Sequence, residues 1–214
     1  SRNTEGEWVR EGGISKREIV NAALDLFSVQ GFEATSISQI ANAVGIRKAS
    51  LYSHFENKQA ILDALIKEVL ERYAEHSIFA LANWDDPDFT KGKQDMTPDA
   101  AVQMIQGQLR YILHDPAISR ARKMLTIEQF RNTELSKLLT KQNYTDIMNF
   151  FTAMIQSLIE AGVLVQGDRE AMAGSLCLPV SAWLNVLDRD GEKEDEILML
   201  IDRHVREFFR IYGI

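Results

Sequence analysis

Apolar residues recur every three or four positions along most of this chain, which is the period of an amphipathic helix. Ile37, Ile40, Ala41 and Val44 form one such stripe. No segment alternates apolar and polar residues for long enough to predict a β-sheet. The chain is therefore predicted to be all-α.

Capping residues, glycines and prolines divide this pattern into separate helices. Residues 85–96, DDPDFTKGKQDM, interrupt it with acids, Pro and Gly, which predicts a loop. The other predicted helices run from Ser15 to Gly31, from Asn57 to about Asn83, from Pro98 to Asp115, from Pro116 onward, from Thr133 to Gly162, from Asp168 onward, and from about Glu194 to Tyr212.

The segment from Ser36 to Lys58 is the most informative part of the chain. Ser36 and Gln39 form an S-x-x-Q capping box, which predicts the start of a short helix. Gly45 can adopt the positive φ that ends this helix in a tight turn. A second short helix follows, and its exposed face is cationic, hydroxylated and aromatic. This arrangement is typical of a helix-turn-helix, whose second helix enters the major groove of DNA.

The residue types on that second helix suit contacts with DNA. Arg47 and Lys48 can neutralise phosphates or donate to guanine, and Ser50 can bond a base edge or a phosphate. Lys58 follows Asn57, the predicted N-cap of the next helix, where a phosphate oxygen is favoured. A three-helix core with solvated charges is the alternative, but the number of matching details favours DNA binding. The predicted DNA-binding residues are Ser36, Arg47, Lys48, Ser50, Tyr52, His54 and Lys58.

The chain is predicted to contain a flexible N-terminal arm (1–13), a helix-turn-helix domain (14–60) and a larger helical domain (61–214). Its net charge of −7 looks unsuited to DNA binding. However, residues 1–60 contain seven basic and seven acidic residues, so the whole excess lies in the remainder. An acidic body disfavours contact with nucleic acid everywhere except at the basic helix-turn-helix.

These motifs resemble the N-terminal domain of the TetR family of one-component transcriptional regulators. Ala49 is a mild departure, since family members usually carry Gly or Pro there. The resemblance implies a dimer that binds a palindromic operator on double-stranded DNA, most often as a repressor that a small effector releases. It rests on Ala34–Ile37, Gln39–Ala41, Val44–Ile46 and Lys48–Phe55, followed by Asn57–Lys58.

The last two predicted helices carry a wide apolar seam. From the pattern alone, this seam can equally close the chain's own core or pair with a second chain. The family resemblance favours a homodimer, because those proteins pair such helices into a four-helix bundle. The predicted interface residues are Leu176, Val180, Leu187, Ile197, Ile201, Val205 and Phe208.

Aromatic and flexible apolar residues on separate helices predict a small-molecule pocket in the larger domain. Residues at such spacing more often only fill a core, so that alternative stays open for each of them. Pro179 is expected to bend its helix and open space beside it. The effector is expected to be apolar or aromatic. The candidate pocket residues are Tyr111, Phe130, Tyr144, Met148, Phe151 and Trp183.

Enzymes and metal sites lack their usual residues in this sequence. Cys177 is the only cysteine, which excludes an intrachain disulfide and a Cys-based metal cluster. His76, His114 and His204 have no Glu three residues before them, as a di-metal carboxylate bundle requires. There is no Gly-rich phosphate loop and no G-x-S-x-G motif. We therefore expect no enzyme, no metal and no cofactor.

The sequence shows no signal-peptide pattern and no run of about 18 apolar residues, so a cytoplasmic protein without a membrane span is expected. A helical small-molecule sensor or protein-interaction module, without DNA regulation of its own, is the alternative function. The intact cationic face with Arg47 and Lys48 argues against it.

Overall fold

The computed structural model describes residues 13–83, 86, 91 and 96–214. The arm predicted at residues 1–13 lies outside the described residues, apart from Gly13. Most of the loop predicted at 85–96 also lies outside them.

The described part of the chain is helical, and its β structure is limited to an isolated antiparallel bridge between Leu164 and Gly213. The predicted all-α class is confirmed. The chain divides into two compact units, and the boundary lies after Leu70, inside the fourth helix. The two units are described separately below.

The N-terminal unit contains three helices and the first part of a fourth. Its apolar core is formed by side chains with no solvent exposure, and burial of each is worth about 1.5–3 kcal/mol. These core residues are Ile19, Phe27, Ile40, Leu51 and Ile61. The helices are α1 (Lys16–Gln30), α2 (Ile37–Val44), α3 (Lys48–Tyr52) and α4 (Lys58–His76).

Local signals set both ends of α1. The Ser15 hydroxyl accepts the Glu18 amide at 3.2 Å, and the Glu18 carboxylate accepts the Ser15 amide at 2.9 Å. At the other end Gly31 has a φ of +87°, and its amide donates to the Phe27 carbonyl at 3.0 Å. The predicted start and end of this helix are therefore confirmed.

The larger unit is a bundle of seven α-helices within the described ranges. α9 packs against α10 and α11 packs against α6, while α5 also contacts α9. A π-helical turn (Lys141–Thr145) joins α8 to α9 without a break, and a 3₁₀ turn (Gly191–Lys193) precedes α11. The helices are α5 (Ile78–Leu81), α6 (Pro98–His114), α7 (Pro116–Glu128), α8 (Thr133–Thr140), α9 (Asp146–Glu160), α10 (Arg169–Leu187) and α11 (Glu194–Tyr212).

The helix predicted from Asn57 to about Asn83 is shorter in the structure. Asn57 caps α4 as predicted, but α4 ends at His76. Ser77 then takes an extended backbone conformation, and its hydroxyl accepts the Phe79 amide at 3.3 Å at the start of α5. A serine hydroxyl competes with helical hydrogen bonds for backbone groups, which explains a break at this residue.

One described helix, α10, is long and apolar enough to cross a membrane by length and composition alone. The sequence itself predicts no such segment. Met172, Leu176 and Leu184 of α10 are buried, and the helix packs against α9 and α11. A core helix of a bundle meets the same criterion, so this finding is weak evidence for a membrane span.

Candidate nucleic-acid interface and effector cavity

Helix α3 presents polar side chains on one side and is anchored by two apolar ones on the other. Arg47 precedes it in the extended conformation of an N-cap, with φ −72° and ψ 147°. Leu51 is fully buried and Phe55, four residues later, is 7% exposed. Because these two anchor one side of the segment, the opposite side faces solvent. Its exposed residues are Lys48, Ala49, Ser50, Tyr52 and Ser53.

A Schellman turn sets the angle between α2 and α3. Gly45 is left-handed, with a φ of +74°, and its amide donates to the Asn42 carbonyl at 3.1 Å. The Ile46 amide donates to the Ala41 carbonyl at 3.0 Å, which completes the motif. A side chain at Gly45 would strain this conformation. The turn therefore holds α3 in a defined orientation relative to α2.

The structure brings most of the predicted DNA-binding residues to the surface of the N-terminal unit. Tyr52 is 46% exposed, which is high for an aromatic residue. His54 is half-buried. The Ser36 hydroxyl accepts the Gln39 amide at 3.2 Å as the N-cap of α2. The exposed members of the predicted set are Ser36, Arg47, Lys48, Ser50 and Tyr52.

Lys58 is placed differently from the prediction. Its ammonium nitrogen Nζ lies 2.7 Å from the Phe32 carbonyl oxygen and 3.0 Å from that of Thr35. The same Nζ lies 4.2 Å from the centroid of the Phe32 ring. The predicted phosphate contact requires N–H groups directed at solvent, whereas these are directed into the loop between α1 and α2. Spacing along the sequence does not reveal such a contact, because Thr35 lies 23 residues earlier.

A hydrogen-bond network in the same loop was missed by the sequence analysis. Thr35 is 1% exposed, and its hydroxyl donates to the Gly31 carbonyl at 2.7 Å. The Gln30 side-chain amide donates to the Thr35 hydroxyl at 2.9 Å and to the Gln39 side-chain oxygen at 3.2 Å. That oxygen also accepts the Ser36 amide at 2.8 Å. The network therefore links the end of α1 to the start of α2.

The larger unit contains a small apolar cavity of about 40 Å³ between α5, α6, α9 and α10. Phe151 is the member of the predicted pocket that lines it. The cavity also touches Cys177 and Val180, which lie on either side of Pro179 in the sequence, and the bend expected at Pro179 stays a prediction. Its lining residues are Ile78, Phe79, Ile105, Gln108, Leu109, Ile112, Ile147, Phe151, Cys177, Val180, Ser181 and Leu184.

Gln108 is the buried polar group of this cavity, and the sequence analysis did not identify it. It is 5% exposed, and its side-chain nitrogen donates to the Ser77 hydroxyl at 3.1 Å. Its side-chain oxygen accepts the Ile78 amide at 3.2 Å. The sequence does contain one signal for it, because Gln108 is a polar residue on the otherwise apolar side of a predicted helix.

Cys177 also lines the cavity and is 2% exposed. Burial raises the pKa of its thiol to about 11. Its sulfur lies 3.6 Å from the sulfur of Met148. The thiol is therefore protonated at neutral pH and behaves as a small apolar group.

Two predicted pocket residues, Tyr144 and Met148, lie at a different place from Phe151. They line an open groove of about 700 Å³ along the outer side of α9 and the start of α10. Tyr144 lies in the π-helical turn and is 52% exposed. The extra residue in that turn changes the direction of side chains relative to a regular helix.

The structure does not bring the other three predicted pocket residues to the cavity. Phe130 lies in the turn after α7 and is 91% exposed. Tyr111 stacks on His76 with ring centroids 6.1 Å apart. Trp183 packs edge-on against His204 at 5.6 Å. Their spacing suited a pocket, but each one projects from its helix or turn in another direction.

The predicted dimer residues face the chain's own core. Val180 lines the cavity, and the other six are at most 4% exposed. The reason is that α11 lays its apolar seam on α6 and α10 of the same chain. The opposite sides of the last two helices carry the exposed residues Ala171, Ser175, Leu178, Ala182, Met199 and Ile211.

Comparison with known proteins identifies the N-terminal part of the chain. Residues 19–65 match the family described as bacterial regulatory proteins, tetR family. The tetracycline repressor protein class D of Escherichia coli is 34% identical over 65 residues, which make up 30% of this chain and 30% of that protein. The match therefore covers less than one third of that relative's length.

Solved structures extend the similarity in fold to nearly the whole chain. A putative TetR-family transcriptional regulator from Mesorhizobium loti has a TM-score of 0.65 and 20% identity, over 93% of this chain and 96% of that one. SmeT, the repressor of the Stenotrophomonas maltophilia multidrug efflux pump SmeDEF, has a TM-score of 0.59 and 18% identity, over 94% and 91%. One SmeT structure is a complex with triclosan. At these identities the likeness concerns the fold alone.

The capped α2, the Schellman turn and the exposed α3 form a helix-turn-helix in the segment that the family match covers. The fold beyond that segment agrees with solved members. The N-terminal segment of this chain is therefore similar to the tetR family of bacterial regulatory proteins.

Proposed function

We propose that this protein is a ligand-responsive DNA-binding transcriptional regulator, and that it acts as a dimeric repressor. The observation that carries the proposal is the exposed cationic face of α3, held by a capped α2 and the Gly45 turn. Relatives named as repressors over the matching segment support it.

The proposed DNA contacts divide into two kinds. Arg47 and Lys48 lie at the start of α3, where they can reach guanine edges or phosphates in the major groove. Ser50 and Tyr52 can donate to phosphate or sugar oxygens, which fixes the register of the helix on the duplex. Ser36 and His54 complete the proposed surface at the start of α2 and the end of α3.

The proposed homodimer uses the exposed side of the last two helices instead of the apolar seam. Ala171, Ser175, Leu178 and Ala182 recur at intervals of four, three and four residues on α10, and all are exposed. Three of these side chains are small and allow close approach of a second helix, and Leu178 adds an exposed apolar contact. A twofold pair of helix-turn-helix units would read a pseudo-palindromic operator. Ala182→Arg should then give a monomer by analytical ultracentrifugation, whereas Gln103→Arg, on the exposed side of α6, should leave the dimer intact.

The proposed effector is a small apolar molecule that enters the cavity beside Gln108. The apolar lining, with one buried carboxamide, supports this ligand class. The triclosan complex of SmeT is a precedent for an aromatic ligand in this fold. Pockets that hold such ligands have volumes of about 300–1,000 Å³, whereas this cavity measures about 40 Å³. Effector binding therefore requires α5, α6, α9 or α10 to move.

We propose that this movement of the cavity helices switches DNA binding off. An effector that binds only the widened arrangement shifts the population toward it. Helix α4 runs from the helix-turn-helix domain into the larger unit, and α5, at its end, lines the cavity. Movement at the end of α4 would thus change the spacing of the two helix-turn-helix units and release the operator. Action on DNA implies a cytoplasmic location in a bacterium.

The test is a selection of bound duplexes from a random library, followed by titration of the recovered site at several salt concentrations. A short near-palindrome whose affinity falls steeply with salt is the expected result. Arg47→Ala/Lys48→Ala should lose most of that affinity, while Lys137→Ala, which removes an exposed cation of the larger unit, should not. Failure of the folded dimer to enrich any sequence would favour a sensor or protein-interaction module.

A further inference from the structure

The ammonium group of Lys58 is bound by the loop that separates α1 from α2. Its Nζ lies 2.7 Å from the Phe32 carbonyl oxygen, 3.0 Å from that of Thr35 and 3.4 Å from that of Glu33. It also lies over the Phe32 ring, 4.2 Å from the centroid. An ammonium group has three N–H donors. Three carbonyl oxygens and an aromatic face therefore account for its donors and its charge.

The loop that Lys58 binds determines where α2 begins. Thr35 is directly followed by Ser36, the N-cap of α2. On its other side the loop is tied by the Gln30 amide, which donates to the Thr35 hydroxyl at 2.9 Å. Lys58 thus holds the loop through its backbone carbonyl groups, and Gln30 holds it through the Thr35 side chain. Helix α2 in turn holds α3 through the Gly45 turn.

We infer that Lys58 is a positioning residue for the helix-turn-helix and that its ammonium group makes no phosphate contact. This inference rests on the proposed DNA-binding function, and it reverses the role that the sequence suggested for Lys58. The cations left to meet phosphates on this surface include Arg47 and Lys48, which are exposed.

Salt dependence separates positioning from phosphate contact. Each phosphate contact that is lost reduces the slope of log K against log salt by about 0.9 in each protomer. Lys58→Met keeps the aliphatic stem and removes the charge. We expect it to weaken binding to the selected operator at every salt concentration and to keep the wild-type slope. Lys48→Met is the matched variant and should flatten the slope. A flattened slope for Lys58→Met, or unchanged affinity, would overturn the inference.

Lys58→Arg provides a second test that keeps the charge and is useful if Lys58→Met does not fold. Arginine binds phosphate at least as well as lysine, so a phosphate contact would survive this change. Its planar fork cannot direct N–H groups at three carbonyls that converge on one point. We therefore expect Lys58→Arg to lose affinity at least tenfold with an unchanged slope. Wild-type affinity for this variant would contradict a positioning role.

Chemical rescue gives a measurement that general destabilisation does not affect. In Lys58→Ala the carbonyl cluster loses its cation, and methylammonium can donate to the same oxygens. We expect methylammonium, compared with tetramethylammonium at equal ionic strength, to restore part of the operator affinity of Lys58→Ala and not that of Lys48→Ala. Equal effects of the two cations on Lys58→Ala would count against the inference. If the wild type itself binds no DNA, the proposed function fails instead.

Discussion

A buried hydrogen bond of 3.1 Å from the Gln108 side chain to the Ser77 hydroxyl joins α6 to the break between α4 and α5. The same Gln108 side chain accepts the Ile78 amide at 3.2 Å. The groups left unpaired where α4 ends are thus satisfied by a residue 31 positions later in the chain. Gln108 also lines the small apolar cavity between α5, α6, α9 and α10.

Gln108→Leu should destabilise the protein by about 1–3 kcal/mol, because it leaves the Ile78 amide without its side-chain acceptor and removes one of the two hydrogen bonds of the Ser77 hydroxyl. Urea denaturation followed by circular dichroism measures this change. Gln103→Leu is the control, since Gln103 lies on the exposed side of the same helix. Equal midpoints for the two variants would show that Gln108 does not stabilise the break.

Asp115 should make stability depend on pH in the acid range. Burial alone raises the pKa of its carboxyl, but hydrogen bonds from Arg72 and from the Ile118 and Ala117 amides bring it below the usual 3.8. A carboxyl with a lowered pKa in the folded state stabilises the fold above its unfolded value. That contribution is lost as pH falls through the folded value.

Asp115→Asn should therefore be less stable than the wild type at pH 7, and the difference should begin to shrink near about pH 4 and disappear as pH falls through the lower folded pKa. Asparagine still caps α7, so Asp115→Ala should lose about 1 kcal/mol more. Thermal melts across the pH range measure both effects. A gap between wild type and Asp115→Asn that stays constant from pH 7 to pH 3 would refute this explanation.

Arg122 connects three parts of the larger unit. It is 6% exposed, and it donates to the Asn143 side chain at 2.6 Å in the π-helical turn. It also donates to the Asp188 carboxylate at 2.8 Å, just after α10. Arg122→Met should cost about 3–5 kcal/mol, since it leaves a partly buried carboxylate without its partner. Lys123→Met, at the exposed neighbour, should change stability by less than about 0.5 kcal/mol. Similar urea midpoints for both variants would contradict the prediction.

The alkylation rate of Cys177 should show whether the small apolar cavity is accessible, because Cys177 lines it. At pH 7.5 its thiol is protonated because burial raises its pKa to about 11, and only the thiolate reacts with iodoacetamide. We expect mass spectrometry to show slow alkylation of the folded protein and fast alkylation in denaturant. An apolar effector in the cavity should slow alkylation further.

The control for Cys177 is a Cys177→Ser variant with an exposed cysteine introduced as Gln103→Cys. This single thiol should react quickly in the folded state, and an effector should not change its rate. Rapid alkylation of native Cys177 would show that the cavity opens without a ligand.

Features that depend on neighbouring residues were predictable from the sequence. The Ser36–Gln39 capping box and the Gly45 turn are local, because each involves hydrogen bonds over a few residues. They placed the helix-turn-helix correctly. The end of α4 was not predicted, since the break at Ser77 is stabilised by Gln108 from another helix.

The roles of single side chains were harder to predict for the same reason. Lys58 lies at the start of α4, where a lysine can reach a phosphate. However, carbonyl oxygens of residues more than 20 positions earlier in the sequence bind it. The spacing of the apolar seam that contains Ile201 and Val205 suits either the chain's own core or a second chain. In the structure, helices of the same chain cover this seam. Phe130 has the composition of a pocket residue, but it lies in a turn at 91% exposure.

The π-helical turn at Lys141–Thr145 has an evolutionary consequence. Such a turn holds one residue more than an α-helical turn, so it absorbs a single-residue insertion within the rod from Thr133 to Glu160. Removing one residue from 141–145 would leave the faces of α8 and α9 in register. Removing one within α9 would rotate every following side chain by about 100° and turn Met154 and Leu158 out of the core. Relatives that are one residue shorter in this region are therefore expected to have lost it here.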